Sequence, residues 1–419
     1  MGEGRAVTGS GFASLGLSPA LLRAADESGF IEPTPIQAAA IPLALQHRDI
    51  IGCAHTGSGK TAAFGLALLH HLDSFMRPAW RRTYVLVLVP TRELATQVGE
   101  TIGMLARHLS DPVKVAVVFG GVSINPQMLG LRGSADVIVA TPGRLLDLVE
   151  RHAVKLDDVN LLVLDEADRL LDEGFADELA RITALLPPRR QSLFFSATFS
   201  PAVQELAKSL LNDPVRVDVA TLLSAGSIEQ RAVEVDVSQR TPLLRHLIDQ
   251  GGWERVLVFV ATRYASEHVA DKLRRSGFAA AAFHGDLSQG ARTRVLADLR
   301  SGALRVVLAT DMAARGLHIA GLPVVFNYDL PRSAVDYTHR IGRTARAGAS
   351  GLAVSFVSPA SEAHFRLIEK RQGQRVPRER IAGFEPREAE VPASPPEGGI
   401  KGRRKSKKDK LREAAAGEG

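Results

Sequence analysis

Eight residues, AHTGSGKT at 54–61, carry the groups that hold a nucleoside triphosphate. Gly57 and Gly59 let the backbone curl, so that amides of Thr56, Gly57, Ser58 and Gly59 converge on phosphate oxygens. Lys60 supplies a positive charge for the outer phosphates, and Thr61 a hydroxyl for Mg²⁺. The run AAFGLALLHHL follows and has the character of a helix, whose free N-terminal amides also favour an anion. About a hundred positions on stands LLVLDEAD, 161–168. Its apolar half suits a strand buried on both faces, with Asp165 and Glu166 just past the carboxyl end, where open α/β sheets bind ligands. Asp165 can hold the metal while Glu166 orients or deprotonates the attacking water. A Gly-rich turn alone is an ordinary strand-to-helix connection, and here Ala54 replaces the usual first Gly. The paired acids are what make hydrolysis of a triphosphate the reading.

Such groups need a scaffold of strands and helices. Apolar runs alternate with helical stretches through two halves of similar length. The first holds YVLVLVP (84–90), VKVAVVF (113–119), ADVIVAT (135–141), LLVLDE and QSLFFSAT (191–198). The second holds RAVEVDV (231–237), RVLVFVAT (255–262), AAAFHG (280–285), RVVLATD (305–311), PVVFNYD (323–329) and GLAVSFVS (351–358). This alternation predicts parallel sheets covered by helices. The boundaries expected are a first domain over 1–211, a linker over 212–230, a second domain over 231–372 and a basic, largely disordered tail over 373–419.

Composition limits the class. With 419 residues, 45% hydrophobic and 23% charged, the chain has material for two soluble cores. A single cysteine, Cys53, excludes an intrachain disulfide and a thiol metal site, which fits a reducing compartment. The opening MGEGRAVTGS lacks a secretory signal, and Ala6 breaks the myristoylation pattern. No apolar stretch approaches the ~18 residues that span a bilayer, so a cytoplasmic protein without a membrane partner is expected. The net charge of +6 is misleading, because KGRRKSKKDKLR at 401–412 holds eight cations and one acid; the remainder is near neutral, at −1. A tail poor in large apolar residues cannot fold alone, and its basic cluster suits a polyanion without sequence preference.

The motifs, taken in order, identify the chain as resembling the DEAD-box RNA helicases over about residues 10–372. Phe12 and GFIEPTPIQ (29–37) resemble that family's Q motif, which implies that Phe30 stacks on adenine and Gln37 reads its edge, making ATP the fuel. PTRELA (90–95), Gly120 with Gly121, and TPGR (141–144) resemble its RNA-backbone contacts, implying that role for Thr91, Arg92, Gly121, Thr141 and Arg144. In the second half, Arg263, Gly285, Gln289, Arg292 and Thr310 take the corresponding places, with Gly316 near the nucleotide. SAT, with Ser196 and Thr198 facing Asp168, resembles the motif coupling hydrolysis to strand separation. HRIGRTARAG (339–348) resembles the arginine-finger motif, with Arg343 and Arg346 reaching the triphosphate from the other domain. His339 and Arg340 are expected to join the domain contact or the RNA.

The chain departs from the family at ARGLH, where His318 stands in place of the Asp that bonds the ATP ribose, and at Ala345, where Gly is commoner. The resemblance implies two tandem RecA-like domains, ATP and Mg²⁺ as cofactors, and a monomer binding RNA through its backbone, in the setting of ribosomal or RNA-decay partners. Two other readings stay open at this level. A DNA translocase shares the phosphate loop and fingers, and an RNA clamp could keep the fold while turning over slowly.

Overall fold

The computed structural model describes residues 11–54, 57–75, 77, 82–218, 228–314, 321–344 and 350–387. Short runs of Val, Leu and Ile become its strands. In the first half they are β1 (Ile50–Cys53), β2 (Val85–Leu88), β3 (Val115–Val118), β4 (Val137–Ala140), β5 (Leu161–Leu164), β6 (Gln191–Ser196) and β7 (Val215–Asp218). They form one parallel sheet in the order β3-β4-β2-β5-β6-β1-β7. Because successive side chains leave a strand on opposite faces, Val85, Val87, Leu161 and Val163 enter one core while Leu86, Leu88, Leu162 and Leu164 enter another. Burial of both faces explains why these strands are continuously apolar. Each such side chain contributes on the order of 1.5–3 kcal/mol by leaving water.

The second half repeats the plan with β8 (Ile228–Glu234), β9 (Val256–Val260), β10 (Ala280–Phe283), β11 (Val306–Thr310), β12 (Val324–Asn327), β13 (Gly351–Val357) and β14 (Arg378–Glu379). The order is β10-β11-β9-β12-β13-β8-β14, again parallel. The chain is thus a pair of seven-stranded parallel sheets with flanking helices, as expected of tandem RecA-like domains. Among the described residues no helix is long and apolar enough to cross a membrane.

Two boundaries differ from the sequence reading. β7 lies inside the stretch assigned to the linker, and pairs with β1 along its length; the segment between the sheets shrinks to 219–227, outside the described residues. Residues 373–387, assigned to the tail, are packed on the second domain. β14 pairs with β8, Arg378 bonds both Glu362 and Glu369 at 2.9–3.0 Å, and Phe384 meets the His246 ring at 5.2 Å. Both misplaced strands sit at a sheet edge, where one neighbour and partial exposure remove the need for an apolar run.

Candidate functional site

Apart from the Q-motif turn, which precedes the first strand, the loops singled out in the first half follow the carboxyl ends of strands, and strand order sorts them into two groups. The phosphate loop follows β1, Asp165 and Glu166 follow β5, and the SAT loop leaves β6; these three strands are contiguous. Thr91, Gly121 and Thr141 follow β2, β3 and β4, the contiguous strands of the other side. The second sheet divides likewise. Arg263, Gly285 and the end of β11 at Thr310 belong to β9, β10 and β11, whereas His339 and Arg343 lie between β12 and β13.

The phosphate loop ends at Gly59, whose φ of 94° is left-handed and easy only for glycine. A Cβ there would lie 2.5 Å from Gln37 Nε2. Lys60 opens the helix Lys60–Asp73 and is buried, its Nζ donating to the Ala54 carbonyl at 2.7 Å. Ser58 Oγ is buried without a hydrogen-bond partner. Gln37 accepts from the Thr34 amide at 2.8 Å and donates to the Gly59 carbonyl at 3.1 Å. It therefore ties the Q-motif turn to the phosphate loop, keeping one lone pair and one N–H for a ligand. Phe30 leans on Phe12 at 6.3 Å between ring centres. Thr56 lies outside the described residues.

Across the loop, Asp165, Glu166 and Asp168 are all buried. Burial pushes the Asp165 carboxyl up to about 6, although Lys60 opposes the shift and Glu166 adds to it. Burial acts on Glu166 too, yet the Arg169, Lys60, Arg343 and His339 charges outweigh it and hold its carboxyl down. Glu166 itself has φ 53°, a left-handed conformation that costs a non-glycine residue of order 1–3 kcal/mol. It accepts from Arg169 Nη1 at 2.8 Å. Arg169 was missed by sequence reasoning; its only signal is the three-residue spacing that puts it beside Glu166 on a helical turn. The Asp165 carboxylate and the Thr61 hydroxyl are hard oxygen donors of the kind that could hold a divalent cation.

The coupling loop is in direct contact with this cluster. Asp168 Oδ2 accepts from the Thr198 amide at 2.9 Å and from Thr198 Oγ1 at 2.8 Å. Ser196 does not reach Asp168; its hydroxyl donates to the Thr198 carbonyl at 2.7 Å, shaping the turn.

The second half closes over the triphosphate side. Arg343 is buried and acts on Glu166. His339 is held well below its ordinary value of 6.5 by burial and by Arg169, with Glu166 opposing and Arg343 and Lys60 adding to the shift. Arg340 departs from expectation. Its guanidinium is used up within its own domain, on both Asp311 oxygens at 2.5 and 2.6 Å, on Asn327 Oδ1 at 3.1 Å and on the Asp329 carbonyl at 2.6 Å. Consecutive helical positions lie about 100° apart, so His339 and Arg340 face different ways. Arg346, Gly316 and His318 lie outside the described residues.

On the other side, Thr91 caps the helix Arg92–Ala106 through Leu94 N at 3.3 Å, and Thr141 accepts from the Gly120 amide at 3.4 Å. A Cβ on Gly121 would lie 2.9 Å from Arg92 Nη1. Arg144 donates to the Val122 carbonyl at 2.8 Å, and its buried Nη1 has no hydrogen-bond partner. Arg292 crosses between domains to Glu93 at 3.0 Å, and Gln289 Oε1 is buried without a hydrogen-bond partner. Arg263 pairs with Asp286.

Residues 34–206 match the family described as DEAD/DEAH box helicase, and residues 239–348 the helicase conserved C-terminal domain. The chain is 40% identical over 368 residues to the DEAD-box ATP-dependent RNA helicase CshA of Bacillus cereus, covering 88% of this chain and 69% of that one. It is 42% identical over 366 residues to the ATP-dependent RNA helicase DeaD of Mycobacterium tuberculosis, covering 87% and 64%. Among solved structures, S. cerevisiae Dbp5 bound to RNA and ADP BeF3 aligns with a TM-score of 0.79 at 32% identity, covering 89% of this chain and 95% of that chain. Mss116p bound to ssRNA and AMP-PNP aligns with a TM-score of 0.78 at 25% identity, covering 87% and 77%.

Proposed function

The chain belongs to the DEAD-box ATP-dependent RNA helicases, and from that membership we propose that it opens short RNA duplexes locally, by closing two domains around ATP and a single strand. The observation that carries this reading is the division of both sheets. Triphosphate groups follow one set of strands and phosphate-binding groups of the RNA type follow the other, so closure completes both sites together.

ATP binds with its base between Phe30 and Gln37 and its phosphates on the loop ending at Lys60 and Thr61. Thr61 and Asp165 are the residues that would hold Mg²⁺, which would neutralise phosphate charge. Glu166, kept ionised by Arg169, Lys60 and Arg343, accepts a proton from the attacking water. Arg343 supplies positive charge from the second domain, an effect worth ~10³ to 10⁵ in rate in other phosphoryl-transfer systems. Thr198 senses the site through Asp168. RNA lies on Thr91, Arg92, Gly121, Thr141 and Arg144 and continues over Arg263, Gly285, Gln289, Arg292 and Thr310, read through its backbone and not its sequence. Because ATP and RNA both favour the closed state, each raises the other's affinity.

Steady-state ATP hydrolysis with and without single-stranded RNA or DNA of one sequence tests the reading. Strong stimulation by RNA alone, lost in Glu166→Gln, is the expected result. Equal stimulation by DNA would point to a translocase, and no stimulation by either would point to a clamp.

A further inference from the structure

The RNA side of the second domain presents an aromatic ring that no backbone contact accounts for. Tyr264 follows Arg263 in the first turn of the helix Arg263–Arg275, which Thr262 caps by accepting from Ala265 N at 3.1 Å. The residue is 74% exposed. Its ring lies nearly parallel to that of His268, one turn on, with centres 5.6 Å apart and planes 10° apart. His268 thus steadies one side of the ring, and the high exposure leaves the other open. The charges nearby are already committed: Arg263 pairs with Asp286, and Glu267 meets His284 Nε2 at 2.8 Å.

We propose that Tyr264 is a stacking platform for one base of the bound single strand, with His268 as its backing. An exposed, pre-oriented ring beside phosphate-binding groups is the arrangement by which single-strand binders hold bases, and stacking requires only a π face. Backbone contacts alone treat all four bases alike. A stack discriminates by ring area, so a purine at this position binds more tightly than a pyrimidine, and an abasic nucleotide more weakly than either. The inference rests on the RNA-binding reading above and adds to it a preference at a single nucleotide.

The test is fluorescence anisotropy of the full chain with a non-hydrolysable ATP analogue and labelled ten-nucleotide RNAs of oligo-A, oligo-U and an abasic-substituted oligo-A. The wild type is expected to bind oligo-A more tightly than oligo-U. Tyr264→Ala is expected to lose about tenfold in affinity for oligo-A and to bind all three RNAs alike, whereas Tyr264→Phe keeps the wild-type order. An oligo-A to oligo-U ratio unchanged in Tyr264→Ala would overturn the proposal. So would a loss of affinity equal for the abasic and intact strands, which would mark Tyr264 as a structural support. Absence of RNA binding by the wild type would instead overturn the RNA-binding reading, and the stack with it.

Discussion

Glu166 occupies an unfavourable backbone conformation beside Asp165 and Lys60, and its carboxylate is held by Arg169 at 2.8 Å. Its position is explained by the water it would orient. Glu166→Gln keeps the shape and removes the base, so RNA-stimulated turnover should fall by about 10² to 10⁴ while ATP binding, followed with a fluorescent nucleotide, stays near the wild-type level. His339 makes a prediction of opposite character. In the closed arrangement its imidazole is held well below 6.5 by burial, by Arg169 and by Arg343 and Lys60, against the pull of Glu166. When the domains separate, Arg169, Glu166 and Lys60 leave with the first domain while Arg343 stays beside it, and the imidazole regains water and rises toward its ordinary value. The open form therefore takes up a proton that the closed form refuses. Closure is unaffected above about pH 6.5 and is progressively lost below it, at about 1.4 kcal/mol per pH unit. The RNA concentration for half-maximal ATPase should rise between pH 7.5 and 5.5 in the wild type and change much less in His339→Asn; parallel curves would refute the assignment. The residues' types made the acids, the lysine and Arg343 legible in the sequence. The use of Arg340 was not, because its partners Asp311, Asn327 and Asp329 come together only when three strands are placed side by side.

Elements buried on both faces were legible, since β2, β4 and β5 are runs of Val, Leu, Ile and Ala with no polar interruption. Edge elements were not. VRVD of β7 alternates, with Arg216 and Asp218 exposed, and the two residues of β14 are both charged; each is made a strand by its neighbour and not by its own composition. The Arg378 bracket shows what secures such an edge. Its guanidinium holds Glu362 and Glu369, side chains 21% and 5% exposed, and lies 4.7 Å from the centre of the Phe365 ring. Removing the cation leaves Glu369 buried beside no partner of comparable strength, a kind of loss that costs about 3–5 kcal/mol when fully buried. Arg378→Ala should therefore lower the stability of the second domain by about 2–4 kcal/mol in urea unfolding, with Arg378→Lys intermediate because one ammonium cannot serve two carboxylates in parallel. The coupling loop makes a separate case. Thr198 gives both its amide and its hydroxyl to Asp168, so Thr198→Val keeps one of two bonds. Duplex unwinding is expected to fall by more than RNA-stimulated ATP hydrolysis, and equal losses in the two assays would show that this contact serves only the fold.

At the scale of the whole molecule the charge is uneven. The chain outside 401–412 is near neutral, and those twelve residues hold eight cations. Backbone recognition of RNA by a neutral body depends on a few placed groups, whereas a basic cluster binds by releasing counterions and is felt mainly in the response to salt. The fold says where to divide the two contributions. Ile381 and Phe384 pack on the second core, and the Arg387 amide donates to Asp236 Oδ2 at 2.7 Å just beyond β8, so a cut within 373–387 would damage the domain itself. A cut after 387 removes the basic cluster, which begins fourteen residues further on, and spares that anchor. Removing 388–419 should thus weaken RNA binding at low salt and reduce the slope of log affinity against log salt by as much as about 6, the limit if all eight cations meet single-strand phosphates. The maximal ATPase rate at saturating RNA should barely change, since every group around Glu166 remains. Equal salt slopes for the two proteins would remove the tail from RNA binding, and a fall in maximal rate would mean that it acts on closure instead.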